Sequence, residues 1–75
     1  MLNDIIDKKI FALFQHLKYE FNEEDDCDVL LYLEMRDFAE MNDGLLFQFD
    51  HNDYIVIHST DGEFFIAEVD YSIFD

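Results

Sequence analysis

Seventy-five residues make one domain at most, with a thin core. A single cysteine, Cys27, excludes an intramolecular disulfide and a cysteine-only zinc site, and points to a reducing compartment. Nineteen Asp and Glu against four Lys and Arg give a formal net charge of -15. Nucleic acid and anionic membranes would repel such a chain and are set aside as direct ligands.

The charge is uneven along the chain. Lys8, Lys9, Lys18 and Arg36 are the only cations, and after Arg36 come Asp37, Glu40, Asp43, Asp50, Asp53, Asp61, Glu63, Glu68, Asp70 and Asp75. Self-repulsion on this scale opposes folding. The apolar half of the composition, with nine Phe and four Tyr, nevertheless excludes an acidic disordered tail. Met1-Leu2-Asn3-Asp4 has no basic leader pattern, and no apolar run approaches the ~20 residues of a membrane span.

The first element reads as an amphipathic helix from about Asn3 to Phe21. Ile6, Ile10, Leu13, Phe14, Leu17 and Phe21 form its stripe, Asn3 its N-cap, and Lys18 stands in its last turn. Glu23-Glu24-Asp25-Asp26-Cys27-Asp28 follows as a solvated loop leading into a second helix, from about Asp26 to Met41. Its apolar side is read as Leu30, Leu31, Met35, Phe38 and Met41, with Asp26 or Asp28 as cap. A short strand over Val29 to Leu33 is the alternative.

The remainder reads as a three-stranded antiparallel meander. Gly44 to Phe49 is the first strand, Asp50-His51-Asn52-Asp53 a turn, and Tyr54 to Ser59 the second strand. Asp61-Gly62 marks a hairpin, and Glu63 to about Tyr71 is the third strand. The expected fold class is α+β, with two N-terminal helices packed on the meander. Alternation sends Leu45, Phe47, Phe49, Ile55, Ile57, Phe65, Ala67 and Val69 toward the helices. Leu46, Tyr54, Val56, Phe64 and Ile66 are then left as an apolar patch on the other face. Such a patch marks an interaction surface, a homodimer interface, or a site covered by Ser72-Ile73-Phe74.

The residues do not assemble a catalytic or metal motif. No phosphate-binding glycine loop is present, and His58-Ser59 lacks the spacing of a nucleophilic site. The abundant acids read as a solvated face rather than a catalytic cleft. The Asp50-His51-Asn52-Asp53 stretch reads as turn chemistry rather than a metal site, with His58 on the next strand. The Glu23 to Asp28 run lacks the Gly and final Glu of a calcium loop. Cys27 sits among acids, a poor setting for a nucleophile. No enzyme activity, cofactor or metal is therefore expected.

The carboxylates carry the functional reading. Glu34, Asp37, Glu40 and Asp43 recur every third residue, so helical neighbours lie about 5–6 Å apart in a slanting column. Glu68 and Asp70 share one strand face about 6.6 Å apart. Glu20, Glu23, Glu24, Asp25, Asp26 and Asp28 form a cluster at the turn between the helices. These spacings resemble those between neighbouring phosphates, so rows of carboxylates can occupy Lys and Arg sites built for nucleic acid.

In size, acidity, aromatic content and helix-plus-sheet build, the chain resembles the acidic DNA-mimic inhibitors of phages and mobile elements, of the anti-restriction, anti-CRISPR and uracil-DNA glycosylase inhibitor kinds. The resemblance implies a non-catalytic inhibitor in the bacterial cytoplasm. It would block a basic nucleic-acid-binding groove of a defence or nucleic-acid-processing protein. Glu23, Glu24, Asp25, Asp26, Asp28, Glu34, Asp37, Glu40, Asp43, Glu68 and Asp70 are the expected partner-binding residues. Two alternatives stand beside it. One is an immunity or antitoxin-like protein neutralising a basic nuclease by steered association. The other is a homodimeric adaptor or structural protein that uses an apolar sheet face.

Overall fold

The computed structural model describes residues 2–70, with side chains from residue 5 onward. Two helices, α1 (Leu2–His16) and α2 (Asp26–Met41), precede three strands, β1 (Leu46–Phe49), β2 (Asn52–His58) and β3 (Phe64–Glu68). The strands form one antiparallel sheet in the order β1-β2-β3. The expected α+β architecture is thus the observed one.

Both helices end by the same device. Lys18 takes a left-handed φ of 58°, Lys18 N–H donates to Gln15 O at 3.1 Å, and Tyr19 N–H donates to Phe14 O at 2.9 Å. These bonds satisfy carbonyls left open at the helix end, and the Tyr19 ring packs on Phe14 at 5.3 Å. α1 therefore stops at His16, short of Phe21, and Lys18 lies beyond its last turn. Asn3 falls inside the helix, so it is not the cap. In α2, Asp43 has a φ of 58° and Gly44 N–H donates to Ala39 O at 2.7 Å. Gly44 follows at φ +73°, where an added Cβ would stand 3.4 Å from Ile6 Cγ1. The start of α2 is capped by Asp25, whose carboxylate accepts from Cys27 N–H at 2.9 Å, rather than by Asp26 or Asp28. Residues 29–33 are helical throughout.

The sheet faces depart from the sequence expectation. Asp50 and His51 both adopt positive φ, 51° and 66°, making a two-residue primed turn with Phe49 opposite Asn52. An even-numbered loop pairs odd residues of β1 with even residues of β2, so Phe47 faces Tyr54. Thr60, Asp61 and Gly62 form a three-residue second loop, closed by Ser59 N–H donating to Glu63 O at 2.8 Å, which pairs Val56 with Ile66 and His58 with Phe64. The inner face thus carries Phe47, Tyr54 and Val56 in the core, with Phe49, Phe64 and Ile66 packed against it. The expected apolar patch of Leu46, Tyr54, Val56, Phe64 and Ile66 is corrected accordingly. Of these five, only Leu46 belongs to the outer face. Ile55, Ile57, Phe65 and Ala67, expected to face the helices, point outward with it. Ser72-Ile73-Phe74 and the proposed end of the third strand at Tyr71 lie outside the described residues.

The core joins Ile6, Ile10, Leu13 and Phe14 of α1, Met35 and Ala39 of α2, and the inner sheet side chains. α1 packs on β2 and β3, and α2 packs on β1. Phe11, Phe14, Tyr19, Phe21, Tyr32 and Phe49 extend it as a cluster of rings with centroids 5.2–6.1 Å apart. Lys9 is the one buried charged side chain among the described residues. Its Nζ donates to Gly44 O at 2.8 Å, beside the C-terminus of α2, where the helix dipole favours a cation. Desolvation holds its pKa below the ordinary 10.5.

A polar chain ties the helices together. Tyr32 O–H donates to Asp7, and Arg36 Nε lies 3.8 Å from Asp7 Oδ1 and 3.4 Å from Glu40 Oε1. Burial, then the Asp7 hydrogen bond and charge, push the Tyr32 pKa from 10 up to about 12, and Arg36 opposes the shift. The unfolded phenol ionises near 10, while the folded one keeps its proton. Stability from this site is therefore complete below pH ~10 and is lost as pH rises toward about 12. After discounting for partial exposure, the loss is about 1–2 kcal/mol. Lys9 acts with the opposite sign, because its proton is disfavoured in the folded state. Urea midpoints of the wild type and Tyr32→Phe, compared from about pH 9 to about pH 11.5, isolate the tyrosine. The variant's curve should fall less steeply above pH ~10.

Candidate partner-binding face of helix 2

α2 has apolar residues on every side, interleaved with charged ones, so its sequence does not show which side is inward. The structure places Met35 and Ala39 in the core, with Leu31 and Tyr32 beside them. Leu30, at 58% exposure, and Met41, at 84%, were expected inside and are outside. At 3.6 residues per turn, Asp26, Leu30, Leu33, Asp37 and Met41 follow one another along a single outward stripe. Glu34 borders this stripe on one side and Glu40 on the other. Each three-residue step turns about 60° around the axis, so Glu34, Asp37 and Glu40 cross the stripe rather than forming a straight row. All three are exposed, as is Asp43, which lies past the helix in its left-handed cap.

The other expected acids fall into distinct settings. Glu23, Glu24 and Asp26 are exposed at the N-terminal end of α2 and extend the acidic surface there. Asp25 is engaged as the cap. Asp28 accepts from Tyr19 O–H and, at 2.9 Å, from Asn22 N–H, so it anchors the turn between the helices. These bonds hold the Asp28 carboxyl below its ordinary range, and the Tyr19 phenol is raised chiefly by the same bond. Glu68 pairs across from Tyr54 at the end of β3, and Asp70 follows the sheet. The structure therefore places Asp26, Glu34, Asp37 and Glu40 on α2 with Glu23 and Glu24 just before it, and leaves Glu68 at the end of β3 and Asp70 beyond the sheet.

No cation interrupts the outward stripe. Arg36, the one cation of α2, is held between Asp7 of α1 and Glu40. The exposed Leu30, Leu33 and Met41, with Val29 beside them, are instead interleaved with carboxylates. That mixture suits Lys and Arg side chains, whose aliphatic stems lie on apolar groups while their charged heads meet carboxylates. Sequence reasoning missed Leu30, Leu33 and Met41 as surface groups. The acids at 26, 34 and 37, flanking them at helical spacing, were the signal that could have revealed them.

The remaining candidates have local roles. Ser59 Oγ accepts from Glu63 N–H at 3.2 Å, and the His58 ring packs on Phe64 at 4.8 Å. Among the described residues, no group of three or more His, Cys, Asp or Glu side chains is placed to hold a metal ion. No helix among them is long and apolar enough to cross a membrane. Comparison with family models, curated proteins and solved structures gives no match.

Crowded carboxylates repel one another, and salt screens that repulsion. The melting temperature is expected to rise between about 0.02 M and about 0.3 M salt. A scanning-fluorimetry series checks this, and a flat response would mean that the acids are too dispersed to strain the fold.

Proposed function

We propose that this protein is a non-catalytic inhibitor that binds a basic protein of the bacterial cytoplasm. The target would be a nucleic-acid-binding groove of a defence or nucleic-acid-processing protein, occupied in place of nucleic acid. The single observation supporting this reading is the outward side of α2, where Asp26 and Asp37 in the stripe and Glu34 at its border stand exposed with no cation among them. A groove lined with Lys and Arg is its electrostatic complement, and opposite net charges would steer association. A second reading, an immunity-like protein against one basic nuclease, is favoured by Leu30, Leu33 and Met41 within the acidic field. Apolar anchors surrounded by charge fit one tight protein interface better than a set of loosely held phosphate sites.

The test is capture from bacterial lysate by the tagged protein and by an Asp26→Lys/Glu34→Lys/Asp37→Lys variant. The variant changes formal net charge from -15 to -9, since three reversals of two charges each add six. Circular dichroism confirms that it is folded. The wild type is expected to retain a nucleic-acid-binding protein that is released by duplex DNA and by about 1 M salt, where the Debye length is about 3 Å. The variant is expected to bind it at least about tenfold more weakly, a loss of about 1.4 kcal/mol. Equal capture by both proteins would sink the reading.

A further inference from the structure

The outer face of the sheet has no partner within the described fold. Both helices lie on the inner face. Leu46, Ile55 and Ala67 align across the three strands, and Ile57 and Phe65 form the next row. Ile57 is 50% exposed and Phe65 57%, in a protein whose core is small. A contiguous apolar face of this kind marks an interaction surface.

Charge and shape select the occupant. Every charged residue after Arg36 is acidic, so the sheet and its loops contain no Lys or Arg. Asp61 and Glu63 lie in the loop segment next to Phe65, and Asp53 lies at the other end of the face. A second copy stacked here would bring two chains of net charge -15 together with no cation at the contact. A cationic partner meets the same rim favourably. Three strands about 4.8 Å apart span about 10 Å, the width of one helix. A helix on the open face would complete the three-layer arrangement in which helices cover both sides of a sheet.

We propose that the outer sheet face, centred on Ile55, Ile57 and Phe65, docks an amphipathic helix of a partner protein whose apolar stripe is flanked by Lys and Arg. This surface is separate from α2, and the proposal does not depend on the role assigned to that helix.

Three fluorescein-labelled peptides of about 18 residues test it by anisotropy. One places Leu at helical i, i+3, i+4 and i+7 spacing on a Lys background. The second has the same Leu pattern on Glu, and the third is the scrambled Leu–Lys composition. The patterned Leu–Lys peptide should bind at least about tenfold more tightly than either control. Ile57→Thr/Phe65→Thr should weaken it about tenfold or more, because both side chains are exposed and Thr suits a strand. The Asp26→Lys/Glu34→Lys/Asp37→Lys variant should weaken it no more than about threefold, through the smaller net charge. Circular dichroism of both variants confirms that they fold.

Any one of the following results would overturn the proposal. The Ile57/Phe65 variant could bind as the wild type does, or the α2 variant could suffer the larger loss, which would place the peptide on α2. The Leu–Glu peptide or the scrambled peptide could bind equally well. Sedimentation could reveal a dimer abolished by Phe65→Thr, making a second copy the occupant. Binding could emerge only after Ile73→Ser/Phe74→Ser, assigning the face to the chain's own last residues. Equal lysate capture by the wild type and the α2 variant, with the peptide results as expected, would overturn the reading of α2 alone, so the two proposals fail separately.

Discussion

Replacing Val56 by Asp is expected to unfold the protein, whereas the same change at the next residue, Ile57→Asp, is expected to leave it folded. Val56 has no exposed surface and pairs with Ile66 on the face that meets the helices, while Ile57 is 50% exposed on the opposite face. A carboxylate at position 56 would be buried without a partner in a chain already crowded with negative charge. Its penalty is at least about 4 kcal/mol, against the roughly 5–15 kcal/mol that holds an ordinary domain together. At position 57 the carboxylate stays in water, and the cost is limited to strand preference, about 1 kcal/mol. Far-ultraviolet circular dichroism with urea titration distinguishes the two. A stable, cooperative Val56→Asp protein would refute the pairing of Phe47 with Tyr54 and with it the assignment of both sheet faces.

The second large effect is expected on α2. Met35→Ala should cost about 2–5 kcal/mol, because Met35 is 2% exposed and its loss leaves a cavity between α1, α2 and β1. Leu30→Ala should change stability by no more than about 0.5 kcal/mol, because that side chain stands largely in solvent. Both residues have the same apolar character in the sequence, so the contrast measures the rotation of the helix directly. Equal losses would mean that α2 is turned from the orientation described here. That would also remove Leu30 from the proposed partner-binding stripe.

These two pairs of substitutions fall where local pattern stops being informative. The order of elements was readable from near neighbours. A three-and-four spacing from Ile6 to Phe14 specified α1, the bounds of α2 at Asp26 and Met41 were recovered, and Gly62 at φ 88° sits in the expected hairpin. Capping was readable in kind but not in position. Asp25 displaced Asp26 and Asp28 because its side chain reaches Cys27 N–H, and Lys18 ended α1 early in a conformation usually left to glycine. Of the proposed site, the acids were legible because charged side chains remain at the surface in nearly any fold. Their grouping was not, since Asp25 and Asp28 turned to local anchoring while Glu34 and Glu40 separated to opposite sides of a stripe.

By itself the sequence determined the fold class, the excess of negative charge and the alternation within each strand, because these depend on composition and on contacts a few residues apart. Only the tertiary structure decided how the alternating strands are phased against one another. The left-handed pair Asp50 and His51 makes a two-residue turn, and the parity of that turn sets Phe47 opposite Tyr54. It likewise decided which side of a helix with apolar residues all round is buried, because α2 docks where Met35 and Ala39 fit against α1 and β1. In both cases the competing arrangements bury chemically similar side chains. The choice rests on turn geometry and on packing between distant segments, neither of which is expressed in the local pattern.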